Sequence, residues 1–135
     1  MKTLSLASAL VLGLALAGCG SSFAMTPDSG VPFATGTIDA SFEENGNNEF
    51  TMKVAGLGPP SKLVPGATTY IVWLTPKKDG ATAQNIGALT VDDEGKGELE
   101  FKSTVNAFSI VVTAEAAADV LKPTGREVLK SSVAQ

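Results

Sequence analysis

The chain has 135 residues, a formal net charge of −4 and no histidine, so one domain is expected and no His-based triad, His–Cys dyad or His-containing metal site can be built. Its single cysteine rules out an intramolecular disulfide, and an acidic balance without a Lys/Arg block lacks the basic footprint that nucleic acid requires. Charged residues at 18%, with 14 glycines and 7 prolines, suit a small all-β domain better than a helical bundle.

Residues 1–18 read as a secretory signal peptide. Lys2 is the positive start, and Leu4 to Ala17 form an apolar stretch broken only by Ser5, Ser8 and Gly13. That stretch is shorter than the roughly 20 residues of a transmembrane helix. The junction Leu16-Ala17-Gly18-Cys19 has the form of a bacterial lipobox. Ala17 and Gly18 are small enough for a signal-peptidase cleft, with Leu16 ahead of them. Cys19 supplies the sulfur that takes a diacylglycerol thioether and becomes the new N-terminus. Each buried acyl CH₂ contributes about 0.8 kcal/mol, so two or three chains hold a protein on a membrane. An ordinary signal ending at Ser22-Phe23-Ala24 would discard Cys19. The lipoprotein reading is preferred because charge, apolar core, small residues and the only cysteine fall in register.

Residues 19–34 are expected to be the lipidated cysteine and a flexible tether, since Gly20 to Ala34 is small, polar and interrupted by Pro27 and Pro32. The folded domain is then expected over 35–135. Gly20 and Ser21 after the cysteine, with no Asp, fit default export. That places the anchor in the outer membrane of a diderm cell, or on the plasma membrane exterior of a monoderm one.

Thr37 to Phe42 and Glu49 to Val54 alternate apolar and polar residues with period 2, and Asn45-Gly46 between them predicts a hairpin. Gly56 to Gly66 is a breaker-rich connection. Thr68 to Thr75 is rich in β-branched and aromatic residues and predicts a central strand with Trp73 anchoring the core. Ile86 to Val91 and Gly97 to Lys102 flank Asp92-Asp93-Glu94-Gly95-Lys96 and predict a second hairpin. Ala107 to Ala114 predicts a buried strand, Glu115 to Leu121 a loose turn or loop, and Arg126 to Leu129 a last edge strand. The pattern predicts a single immunoglobulin-like antiparallel β-sandwich of about seven strands, without the Cys pair of antibody domains.

From Tyr70 onward the landmarks form a recognisable series. Tyr70-Ile71-Val72-Trp73 is followed by Asn85-Ile86-Gly87-Ala88-Leu89 and Asp92 to Gly95. Val112-Thr113-Ala114-Glu115 and Pro123-Thr124-Gly125 complete it. Residues 68–130 thus resemble the C-terminal extracytoplasmic domain of the anti-sigma-K factor family, with its Tyr-x-x-Trp strand, Gly-x-Leu hairpin, Val-Thr-x-Glu strand and Pro-Thr-Gly. The resemblance implies a sensor-type β-sandwich. Members of that family also carry a cytoplasmic sigma-binding region and a transmembrane helix. Here a signal peptide and lipobox stand in their place, so anti-sigma activity is not carried over.

Candidate chemistry elsewhere is thin. Asp92, Asp93 and Glu94 fit a Ca²⁺ loop poorly and read as a hairpin tip. Glu43 to Glu49 is richer in oxygens, yet turn chemistry alone accounts for it. Ser61-Lys62 is an isolated dipeptide, and no Ser-x-x-Lys motif activates a nucleophile. Gly56 to Pro60 lacks the following helix that a phosphate loop needs. Tyr70 and Trp73, three apart on a strand, face opposite sides, and Trp73 is the one expected inward. No catalytic residue, metal ligand or cofactor is expected. The expected role is a non-enzymatic envelope lipoprotein whose partners are the membrane, through the lipid, and an envelope protein or polymer. The alternatives are regulation of a membrane signalling system, or a weak metal- or glycan-binding role.

Overall fold

The computed structural model describes residues 20–135. Nine strands and one helical turn follow in order: β1 Gly20–Ala24, β2 Thr26–Pro27, β3 Thr35–Ser41, β4 Asn48–Ala55, α1 Pro60–Leu63, β5 Thr69–Pro76, β6 Gln84–Leu89, β7 Gly97–Ser103, β8 Ala107–Glu115 and β9 Arg126–Ala134. They form two antiparallel sheets, a four-stranded one in the order β1-β3-β4-β7 and a five-stranded one in the order β2-β9-β8-β5-β6. This is the all-β sandwich that the residue pattern predicts.

The β3–β4 hairpin follows from its sequence. Ile38 and Ala40 alternate with exposed Thr37 and Asp39, and Phe50, Met52 and Val54 do the same on the partner. Register places Ile38 opposite Met52 and Ala40 opposite Phe50, so one face is apolar throughout. Gly46 takes φ 80° in the turn, which a side chain would disfavour.

From the five-stranded sheet, Tyr70, Val72 and Leu74 pair with Ala114, Val112 and Ile110 and face the core. Val128, Leu129 and Val133 of β9 join them. An aromatic cluster closes one end of this core. Phe50 stacks on Phe101 at 5.0 Å and meets Phe108 edge-on at 5.1 Å, geometries that aromatic quadrupoles favour.

Three expectations are corrected. The stretch expected as a tether belongs to the fold: β1 pairs with β3 from Gly20↔Ser41 to Ala24↔Thr37, and β2 pairs with β9. The domain therefore begins well before residue 35. Composition misleads here because small polar residues serve an exposed edge strand as well as a linker, and only the partner strand decides. Met25, between β1 and β2, is buried as the chain passes from one sheet to the other.

The second hairpin is not one. β6 pairs with β5 and β7 with β4, in different sheets, and only the bridge Val91↔Gly97 joins the two segments. The turn chemistry at the tip is as expected: Asp92 Oδ1 accepts the N–H groups of Glu94 and Lys96 at 2.9 Å. The turn nevertheless carries the chain between sheets, because Leu99 and Phe101 find Met52 and Phe50. Beyond this, β9 is longer than the predicted edge strand and runs the length of β8.

Trp73 is the third correction. Tyr70 faces the core, and its hydroxyl donates to Gly58 O at 2.6 Å. Trp73 faces the opposite side of the sheet and is nonetheless only 1% exposed.

Candidate functional site

The outer face of the five-stranded sheet holds the most organised polar cluster. β-strand alternation puts Trp73 of β5, and Thr113 and Glu115 of β8, on that face. The ladders are irregular beside it: β6 carries an extra residue, Ile86, opposite the Val72–Trp73 step of β5, and β9 carries one, Val128, opposite the Val112–Thr113 step of β8. Bulges of this kind re-aim side chains. Asn85 of β6 sits opposite Trp73.

Trp73 Nε1 donates to Thr113 Oγ1 at 2.8 Å, and Thr113 Oγ1 donates to Glu115 Oε2 at 2.6 Å. The loop 116–125 folds back onto this cluster. Thr124 Oγ1 donates to Glu115 Oε1 at 2.5 Å, and Gly125 N to Oε2 at 2.9 Å. The Thr124 N–H is shared between both oxygens. Asn85 Nδ2 donates to the carbonyls of Ala118 and Val120, both at 3.0 Å, and Thr68 Oγ1 donates to Ala116 O. The loop is thus pinned at three places.

Glu115 is 2% exposed. Burial pushes its carboxyl up, but the hydrogen bonds from Thr113, Thr124 and Gly125 outweigh that and hold it below the ordinary carboxylate range. Both oxygens are occupied by protein donors, so the charged group serves as a clasp. It is not placed to take a proton from a substrate. Backbone packing is equally tight: a Cβ at Gly125 would lie 1.7 Å from Ala114 O.

Several open grooves border the sandwich. One, of about 720 Å³, lies along the seam between the sheets, where Ser22 and Phe23 of β1 approach Lys130, Ser131 and Ser132 of β9. Another, of about 530 Å³, is lined by Gly56–Pro60 and the Asp92–Gly95 turn, which Leu57 N joins by donating to Gly95 O at 3.1 Å. Ser61-Lys62 belongs to α1 and the exposed loop around it. Asp28 pairs with Arg126 at 2.7 Å. A hydrogen bond from Gly30 N, joined by those from Arg126, lowers its pKa.

The acidic turns stay apart from one another. Glu43 to Glu49 lies at one end of the sandwich and Asp92 to Glu94 at the other. Among the described residues no group of three or more His, Cys, Asp or Glu side chains is placed to hold a metal ion. Leu16, Ala17, Gly18 and Cys19 lie outside the described residues. Sequence reasoning missed the role of Glu115 and named Pro123-Thr124-Gly125 only as a landmark of the resemblance. A signal was present: Thr113 and Glu115 are two apart on a strand and therefore share a face. No protein-family model matches this chain, and no curated protein matches its sequence at a significant level.

Proposed function

We propose that this chain is a non-enzymatic bacterial envelope lipoprotein, acylated at Cys19, whose β-sandwich is a binding module for an envelope protein or polymer. The observation that carries this reading is the adjacency of lipobox and fold: Gly20, the residue after Cys19, is already paired with Ser41 in the sheet. Saturation of the buried Glu115 carboxylate by internal donors supports a scaffold over a reaction centre. The localisation that goes with it is export across the inner membrane, then anchoring in the outer membrane of a diderm cell or on the plasma membrane exterior of a monoderm one.

Replacement of Cys19 tests the anchor. Cys19→Ser should yield an unprocessed or soluble species that incorporates no fatty-acid probe. Normal membrane retention of that variant would overturn the reading.

A second reading is regulation of a membrane signalling system of the anti-sigma type. It is favoured by one observation. The residues that carry the resemblance to the anti-sigma-K factor domain, namely Trp73, Asn85, Thr113, Glu115, Thr124 and Gly125, meet around a single clasp. Crosslinking in living cells followed by mass spectrometry separates the two. A transmembrane signalling protein as the specific partner supports regulation, and an envelope enzyme or polymer supports the first reading.

A further inference from the structure

We infer that the domain sits end-on against the lipid surface with no spacer, its 42–47 hairpin and its 77–83 and 104–106 loops meeting the headgroups. The loops 28–34, 56–68 and 90–96 then face away from the membrane, and 116–125 starts at that same end and folds back over the outer face of the five-stranded sheet. This rests on the acylation of Cys19 proposed above.

Topology assigns the two ends. Gly20 lies opposite Ser41, the last residue of β3, and the 42–47 hairpin follows directly. β5 ends at Pro76 beside Phe108, at the start of β8, so the 77–83 and 104–106 loops share that end. Thr35↔Ala55, Thr69↔Glu115 and Val54↔Gly97 mark the other. Consecutive Cα atoms are about 3.8 Å apart, so a lipid on Cys19 is held within one residue of the sheet. A flexible coil over residues 20–34 would have allowed a separation of about 20 Å.

The membrane-facing end is cross-tied. Asn48, 1% exposed, accepts Glu43 N with its Oδ1 at 3.0 Å and donates through Nδ2 to Asn106 at 2.8 Å. Lys77 N donates to Ala107 O and Gln135 N to Asn106 O, both at 3.0 Å. Three connections and the last residue thus move as one platform. Its exposed charges are of both signs, Glu43, Glu44 and Asp79 against Lys77 and Lys78. Of the two most exposed large apolar side chains, Phe33 at 89% lies in the 28–34 loop at the opposite end, and Leu121 at 91% follows Val120, whose carbonyl Asn85 holds over the outer face of the five-stranded sheet. The position of the anchor sets the seating, and insertion of apolar loops does not.

The experiment uses the acylated, membrane-extracted chain carrying one added cysteine at a time: Glu44→Cys, Lys130→Cys or Ser61→Cys. Acylation consumes the thiol of Cys19, so each added thiol takes the fluorophore alone. The labelled proteins are placed in phosphatidylethanolamine–phosphatidylglycerol vesicles bearing a nitroxide quencher on the lipid headgroup. Quenching at 44 should exceed that at 61 and 130 at least threefold, and a 15-residue Gly/Ser insert after Cys19 should abolish the difference. Equal quenching at 44 and 61, or strongest quenching at 130 on β9, would overturn end-on seating. Mass spectrometry of the N-terminal peptide separates the two levels. An unacylated Cys19 sinks the lipoprotein reading, whereas an acylated Cys19 with a flat quenching profile sinks the seating alone.

Discussion

The indole of Trp73 donates to Thr113 Oγ1 at 2.8 Å, on the face of the sheet turned away from the core. The hydroxyl in turn donates a hydrogen bond to Glu115, so one threonine joins the only tryptophan to a buried carboxylate. This chain of donors holds the 116–125 loop over an apolar surface that would otherwise face water.

Thr113→Val keeps the shape of the side chain and removes both hydrogen bonds. It leaves a buried indole N–H unpaired and Glu115 short of one donor. Each such loss costs about 1–3 kcal/mol. The expected destabilisation is about 2–4 kcal/mol, read from the urea midpoint with Trp73 fluorescence as the probe. A midpoint unchanged from wild type would show that the cluster is not structural.

The pH dependence follows from Glu115. Its folded pKa is lowered from the ordinary 4.5, so its contribution to stability is complete above that value and is lost as pH falls through the folded pKa. Stability should therefore decline below about pH 4.5. Asp28, lowered from 3.8 chiefly by the Gly30 N–H and by Arg126, acts in the same direction at lower pH. Urea midpoints measured from about pH 3 to 7 should fall less steeply in Glu115→Gln than in wild type. Parallel curves would remove Glu115 as the source.

Gly125→Ala should destabilise the domain by at least about 2 kcal/mol, because its Cβ would meet the Ala114 carbonyl at 1.7 Å and neither strand can yield without breaking the clasp. Amide exchange should rise first in residues 116–125. A variant as stable as wild type would mean that the loop shifts freely.

Tyr70→Phe removes the hydroxyl that reaches Gly58 O and leaves the ring in the core. The net cost expected for one such bond is about 1 kcal/mol. Burial raises the phenol pKa, so the wild-type bond persists into alkaline solution. Faster proteolysis within 56–66, with a small change in melting temperature, is the expected signature. A loss as large as that for Thr113→Val would mean that the bond supports more than this loop.

Local patterning determined much of the architecture. Period-2 alternation in Thr37–Phe42 and Glu49–Val54 marks the β3–β4 hairpin, and Asn45-Gly46 marks its turn. The apolar runs of β5 and β8 mark central strands. These features are legible because strand geometry and turn chemistry act over a few neighbouring residues. The absence of histidine likewise closes, from composition alone, His-based triads and His-containing metal sites.

Partnership between distant segments was decided only in the tertiary structure. Gly20–Ala24 has the composition of a linker and becomes a strand because β3 offers a free edge. The Asp92–Gly95 turn is the same whether it joins two strands of one sheet or crosses between sheets, and the pairing of Leu99 with Met52 chooses the second. Trp73 is apolar enough for either face of β5. Thr113 and Glu115, 40 and 42 residues on, supply the polar partners that draw it to the outer one. A buried N–H must find an acceptor, and where that acceptor lies is a property of the folded chain and not of the residues beside it.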